Sequence, residues 1–97
     1  TFCPLGPWMV THFSIAEASH RQIVTRLDGR EVQHGNTDQM VHTIPKLISH
    51  ISSFMTLLPG DVILTGTPAG VGPMEPGQRV EVEIEGIGTL TNTVVEV

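Results

Sequence analysis

Cysteine, cationic residues and long apolar runs are all scarce in this 97-residue chain. Cys3 is the only cysteine, so no disulfide closes within the chain, and we expect a small buried hydrophobe in a reducing cytoplasm. Five Lys and Arg stand against ten Asp and Glu, which leaves no basic patch for nucleic acid. No apolar run approaches the roughly 18 residues of a membrane span, and no signal peptide is recognisable. The sequence therefore predicts a cytoplasmic protein without nucleic-acid or membrane partners.

The rest of the composition is that of a folded chain. Hydrophobic residues make up 39% and charged residues 15%, which suits one globular domain rather than a disordered segment. The chain starts at Thr1 and enters turn-forming residues at once, with Pro4, Gly6 and Pro7. This beginning predicts a fragment of a longer protein.

Hydrophobic periodicity predicts several strands and one main helix, an α+β chain that is predominantly β. Asp28-Gly29 is a strong signal for a β-hairpin, Asn36 and Thr37 can cap a short turn through Met40, and residues 12–20 are predicted to form a loop. The segment 61–65 holds a continuous apolar run that is typical of a strand buried on both faces. The predicted strands cover residues 8–11, 22–27, 31–33, 61–65, 79–85 and 89–97.

The helix is predicted over residues 43–56. Its apolar residues recur at the spacing of one helical face, Thr43 can cap its start, and Pro45 falls in the first turn, where proline is tolerated. The apolar series consists of Ile44, Leu47, Ile48, Ile51, Phe54, Met55 and Leu58.

The glycine-rich loop at residues 65–72 is the segment best suited to binding a ligand. We call it the threonine loop, because Thr65 and Thr67 place two hydroxyls among small residues. Each hydroxyl could bond a carboxylate oxygen of a substrate, and glycines let backbone N–H groups approach an anion. An ordinary tight turn is the alternative interpretation. A P-loop is excluded because no Lys follows the glycines.

Carboxylates and histidines give weaker signals. Glu81, Glu83 and Glu85 have spacing suitable for a metal site, but they alternate with apolar residues, which favours a solvated face of a strand. None of the five histidines forms the i, i+4 pair of a helical zinc site. His12 and His20 lie in the predicted loop, from which they could reach a site in a full enzyme. A surface position is the more frequent case for such residues.

Four stretches of the sequence carry a resemblance to a known family: 2–8, 28–33 with Asn36-Thr37, 59–72 and 83–92. Their order and spacing cover nearly the whole chain, and the run Gly-Asp-Val-Ile-Leu-Thr-Gly-Thr-Pro-Ala-Gly-Val-Gly is highly specific. Together they resemble the carboxy-terminal half of the fumarylacetoacetate hydrolase domain.

The resemblance implies part of a mixed, mostly β roll, with residues 1–97 as a partial catalytic domain that is homodimeric in full-length form. Members of the family use Mg²⁺ or Mn²⁺, held by a Glu-x-Glu pair and an Asp, and a catalytic Lys. All of these lie upstream, so we expect neither catalytic residues nor metal ligands in this chain, and the chain alone should be inactive. Glu83-x-Glu85 sits at the wrong place in the pattern to be that pair. The implied substrate-binding residues are Thr65, Gly66, Thr67 and Pro68.

The implied activity is hydrolysis, isomerisation or decarboxylation of small 2-oxo or 1,3-dicarbonyl acids, such as acylpyruvates, fumarylacetoacetate or hydroxymuconates. The sequence leaves the choice among these reactions open. It also leaves open a catalytically inactive remnant that serves as a dimerisation or binding module.

Overall fold

A computed structural model describes residues 3–97, and the first two residues of the chain, including the start of the first stretch of the resemblance, lie outside this part. The fold is α+β, as predicted. Two α-helices, one 3-10 turn and four strands follow one another along the described residues. They are α1 (Ile15–Ala18), β1 (Gln22–Leu27), β2 (Arg30–Asn36), the 3-10 turn Thr37–Gln39, α2 (Ile44–Ser52), β3 (Arg79–Ile84) and β4 (Gly88–Thr93).

The four strands form one antiparallel sheet in the order β2-β1-β3-β4. The predicted hairpin is confirmed, because Asp28 (φ 49°) and Gly29 (φ 79°) both adopt the positive φ that a two-residue hairpin turn requires. A shift of register between Thr25 and Arg26 marks a bulge in the pairing of β1 with β2. Because β2 stands first in the strand order, it is an edge strand within the described residues.

The two faces of the sheet differ in chemistry. Directly paired residues share a face, so the charged face carries Arg26 opposite Glu81 and places Glu83 opposite Val24. The other face carries Ile23 opposite Ile84 and Thr25 opposite Val82. This arrangement confirms the alternation predicted for β3. The face that includes Ile23 also bears the candidate site described below.

Helix α2 is shorter than predicted, because it begins at Ile44 and ends at Ser52 rather than residue 56. Pro45 lies in its first turn as expected, whereas Thr43 precedes the helix without making a side-chain cap. At the other end, the hydroxyls of Ser52 and Ser53 donate to the carbonyls of Ser49 (3.2 Å) and His50 (2.6 Å). Such local bonds compete with helical geometry and account for the early end.

Three other predictions about local structure were wrong. Residues 8–11 and 61–65 form no strand, because an apolar run becomes a strand only when a neighbouring strand completes its hydrogen bonds. Leu64, expected to be buried, is 76% exposed. Within the predicted loop 12–20, Ser14 and Glu17 form a reciprocal capping box that starts α1. The hydrogen bonds from Ser14 lower the pKa of Glu17.

Two further predictions, on the last strand and on the cysteine, were also wrong. Strand β4 ends at Thr93, so only part of the predicted strand 89–97 forms. Cys3 is exposed rather than buried. Among residues 3–97, no helix is long and apolar enough to cross a bilayer.

Apolar side chains cover much of the surface of the described residues. Val24 is the only apolar side chain there that is buried, whereas Phe54, Leu58, Val62 and Val71 are mostly exposed. Large exposed apolar patches drive association. We therefore expect the isolated 97-residue chain to self-associate or aggregate. Analytical ultracentrifugation tests this expectation, and a sharp two-state thermal transition of a soluble monomer would contradict it.

Candidate functional site

A cavity of about 320 Å³ lies on the sheet face that carries Ile23 and its partner Gly35. Leu47 of α2 contributes to the wall, together with Met40 and Val41 from the segment that precedes the helix. The threonine loop supplies the remaining side. The lining residues thus come from three separated parts of the chain, at residue 23, within 35–47 and at 65–68, and the fold brings them to one place.

Strand β2 holds the threonine loop in place. The side-chain amide of Gln33 donates from Nε2 to Thr67 Oγ1 and to the carbonyl oxygen of Pro68, both at 2.8 Å. Gly70 adopts φ +107° and approaches β2 so closely that a Cβ at this position would overlap the carbonyl oxygen of Val32. The threonine loop is therefore held on β2 by the hydrogen bonds from Gln33, and the missing side chain of Gly70 allows the close approach.

The polar groups around the cavity differ in their availability. Asn36 and Gln39 are committed to a capping box, in which Asn36 N donates to Gln39 Oε1 at 2.9 Å and Asp38 N donates to Asn36 Oδ1 at 3.1 Å. Thr65, Thr67 and His42 also line the cavity and take no part in that capping box. Among the described residues that line the cavity, His42 is the only ionisable one and none is a carboxylate. An anion in the cavity would consequently meet no carboxylate among these lining residues.

All four residues predicted to bind substrate line this cavity: Thr65, Gly66, Thr67 and Pro68. Their role as ligands of a substrate stays a prediction. His12 and His20 are not among the lining residues. His12 packs edge-on against the Phe13 ring with centroids 4.9 Å apart, and His20 lies 3.5 Å from Asp38 on the surface.

Sequence reasoning missed Gln33 and His42. Both are single polar residues without a motif, and only the tertiary fold brings Gln33 to the loop 34 residues further along the chain. No spacing in the sequence singles out His42. A signal did exist for Gln33, because it belongs to the stretch 28–33 on which the resemblance rests.

The two glutamates of β3 form ion pairs, and Glu85, which follows the strand, accepts a backbone hydrogen bond. Arg26 Nη1 donates to Glu83 Oε2 at 2.6 Å, and this bond raises the pKa of Arg26. Arg79 pairs with Glu81, and Glu85 accepts a bond from Gln22 N at 3.2 Å. Across residues 3–97, no three His, Cys, Asp or Glu side chains lie close enough to hold a metal ion together. The residues present do not fit a divalent ion, so we assign no chemistry of this chain to one.

The chain is similar to known proteins along almost its entire length. The family model "Fumarylacetoacetate (FAA) hydrolase C-terminal" matches residues 1–95. The mitochondrial oxaloacetate tautomerase FAHD2A of Homo sapiens is 48% identical over 102 aligned residues, which cover 98% of this chain and 32% of that protein. The chain thus spans about a third of the length of this relative.

Solved structures share the fold. The 5-carboxymethyl-2-hydroxymuconate delta-isomerase of Mycobacterium smegmatis superposes with a TM-score of 0.91 at 52% identity, over 97% of this chain and 36% of that one. A maleylpyruvate hydrolase of Sphingobium sp. SYK-6, in complex with manganese(II) and pyruvate, has a TM-score of 0.91 at 38% identity, with the same coverage of 97% and 36%.

Proposed function

Because this chain belongs to the fumarylacetoacetate hydrolase family, we propose that it forms the substrate-side part of a metal-dependent enzyme acting on small 2-oxo dicarboxylic acids. Among the reactions of such enzymes, we favour enol–keto isomerisation over hydrolysis of a carbon–carbon bond and over decarboxylation. The relatives described above as an isomerase and a tautomerase share 52% and 48% identity with the chain, whereas the maleylpyruvate hydrolase shares 38%.

The observation that carries the proposal is a cavity that, within residues 3–97, is lined by the two threonines of the threonine loop and by no carboxylate. A 2-oxo dicarboxylic acid has one carboxylate beside the oxo group and a second at the far end. We assign the far carboxylate to the hydroxyls of Thr65 and Thr67, because hydrogen bonds to an ionised acceptor are stronger than neutral ones. Leu47 and Met40 add an apolar part to the wall of the same cavity.

The metal belongs to the proposal as a cofactor of the parent protein. Mg²⁺ or Mn²⁺ would be held by residues outside this chain, and when bound would supply Lewis-acid stabilisation of negative charge on the substrate. The residues described here would orient the acid from the opposite end, which reduces the entropic cost of reaching a reactive geometry. A homodimer and a cytoplasmic location complete the proposal, on the basis of the resemblance and the composition.

The test is an assay of the full-length protein that contains this chain, supplied with Mn²⁺ and three compounds: oxaloacetate, 5-carboxymethyl-2-hydroxymuconate and maleylpyruvate. We expect the enol form of oxaloacetate to convert to the keto form faster than in a protein-free control with the same metal concentration. Cleavage of maleylpyruvate without isomerisation of the other two compounds would assign the protein to the hydrolases instead.

A folded protein that turns over none of the three compounds would support the second candidate function, a dimerisation or binding module. The observation that favours this alternative is the large number of exposed apolar side chains among residues 3–97.

A further inference from the structure

We infer that Gln33 is the positioning residue of the candidate site, and that it sets the hydroxyl of Thr67 to act as a donor toward a substrate carboxylate. This inference rests on the proposed function. The amide nitrogen of a glutamine has two N–H donors, and here both are used, one on Thr67 Oγ1 and one on the Pro68 carbonyl. The two acceptors are consecutive residues of the threonine loop, so a single side chain fixes both the backbone and the hydroxyl.

The polarity of these bonds matters as much as their number. A threonine hydroxyl has one hydrogen to donate and two lone pairs to accept with. Because Gln33 Nε2 can only donate, Thr67 Oγ1 must accept from it at 2.8 Å, and the hydroxyl hydrogen remains for another partner. A carboxylate only accepts, so it is the complementary ligand.

The base of this arrangement is rigid. Gln33 lies in β2 and pairs with Thr25 of β1, so the ladder fixes its backbone. It shares a sheet face with Gly35, two residues further on, which lines the cavity. Gly70 packs over the Gln33 side chain, because a Cβ at Gly70 would lie 3.1 Å from Gln33 Cγ. A supporting residue held in this way keeps a binding group in its productive geometry.

Two substitutions of Gln33 distinguish the inferred role from a merely structural one. Gln33→Glu preserves the shape of the side chain but replaces both donors with acceptors. Its carboxylate would take the Thr67 hydrogen and oppose the Pro68 carbonyl. Gln33→Leu removes the bonds without redirecting the hydroxyl. If Gln33 is only structural, Gln33→Leu should raise KM at least as much as Gln33→Glu. If Gln33 sets the Thr67 hydroxyl as inferred, Gln33→Glu should raise KM more.

The experiment measures KM and kcat of the full-length enzyme for oxaloacetate. We expect KM to rise about 30-fold in Gln33→Glu and about 5-fold in Gln33→Leu, with kcat changed by less than about twofold, because the lost contact binds substrate and transition state alike. Gln22→Glu and Gln22→Leu are the controls, since Gln22 lies on the opposite face of the sheet and its side chain does not line the candidate site. Both should leave KM and kcat unchanged.

A double-mutant cycle with Thr67→Val separates positioning from general damage. If Gln33 acts through Thr67, adding Gln33→Glu to Thr67→Val should raise KM by no more than about twofold, because residues in one hydrogen-bond network are not additive. Additive effects of the two substitutions, or an unchanged KM in Gln33→Glu, would overturn the inference. The proposed function would still stand in that case if Thr67→Val alone raises KM. An unchanged KM in Thr67→Val would overturn both.

Discussion

Replacement of Gly70 by alanine is expected to lower the free energy of unfolding of the full-length enzyme by about 2 to 4 kcal/mol and to displace the threonine loop from β2. A Cβ at this position would overlap the carbonyl oxygen of Val32, which lies at the bulge of β2 between Glu31 and Gln33, two residues that are paired with β1. The φ of +107° adds strain, because residues with a Cβ rarely adopt it. Denaturant titration measures the loss of stability.

Gly60→Ala is the matched control for Gly70→Ala. Gly60 has a similar φ of +94°, but a Cβ there would meet no atom within 4 Å. It should therefore show the backbone strain alone, about 1 kcal/mol, with unchanged activity. The difference between the two variants isolates the contact of the loop with β2. Equal losses of stability in the two variants would contradict the close packing.

The second large effect is expected for Thr67→Val in the full-length enzyme. Valine keeps the shape of threonine and removes the hydroxyl, so a lost bond to a carboxylate costs about 1.5 to 3 kcal/mol, equivalent to a fall of about 10- to 150-fold in kcat/KM. Thr65→Val should act in the same direction with a smaller effect. Steady-state kinetics with oxaloacetate measures both variants.

Three controls make the result of Thr67→Val specific. Thr67→Ser restores the hydroxyl and should recover most of the activity. Thr91→Val makes the same chemical change at an exposed position of β4 and should have no effect. Pyruvate has no second carboxylate, so its affinity, measured by calorimetry, should be the same in Thr67→Val and in the unmodified enzyme. Wild-type kcat/KM in both threonine variants would mean that the loop is only a turn.

The sequence was sufficient to predict elements that depend on neighbouring residues. The Asp28-Gly29 hairpin, the cap at Asn36 and the alternation of β3 are all local patterns, and all are present. The buried strand predicted at 61–65 is absent, because the apolar character of residues 62–64 carries no information about a partner strand. The end of α2 was misplaced because apolar periodicity continues past Ser52, where serine hydroxyls already bond the backbone.

The candidate site was predictable only in part, for a physical reason of the same kind. The threonine loop is recognisable in the sequence by its glycines and hydroxyls, so its residues could be proposed in advance. Gln33 acquires its place through two hydrogen bonds across more than 30 residues, and His42 through the packing of the segment before α2. Contacts between residues so far apart in the chain depend on the tertiary fold, and they produce no periodic pattern in the sequence.

A crystal structure of the full-length enzyme with Mn²⁺ and oxaloacetate would test the central claim most directly. We expect the carboxylate remote from the metal to lie within about 3.2 Å of Thr67 Oγ1, while Gln33 Nε2 keeps its bond to the same oxygen. A substrate whose remote carboxylate lies elsewhere, with the hydroxyls of Thr65 and Thr67 facing solvent or bonded only to protein, would contradict the account.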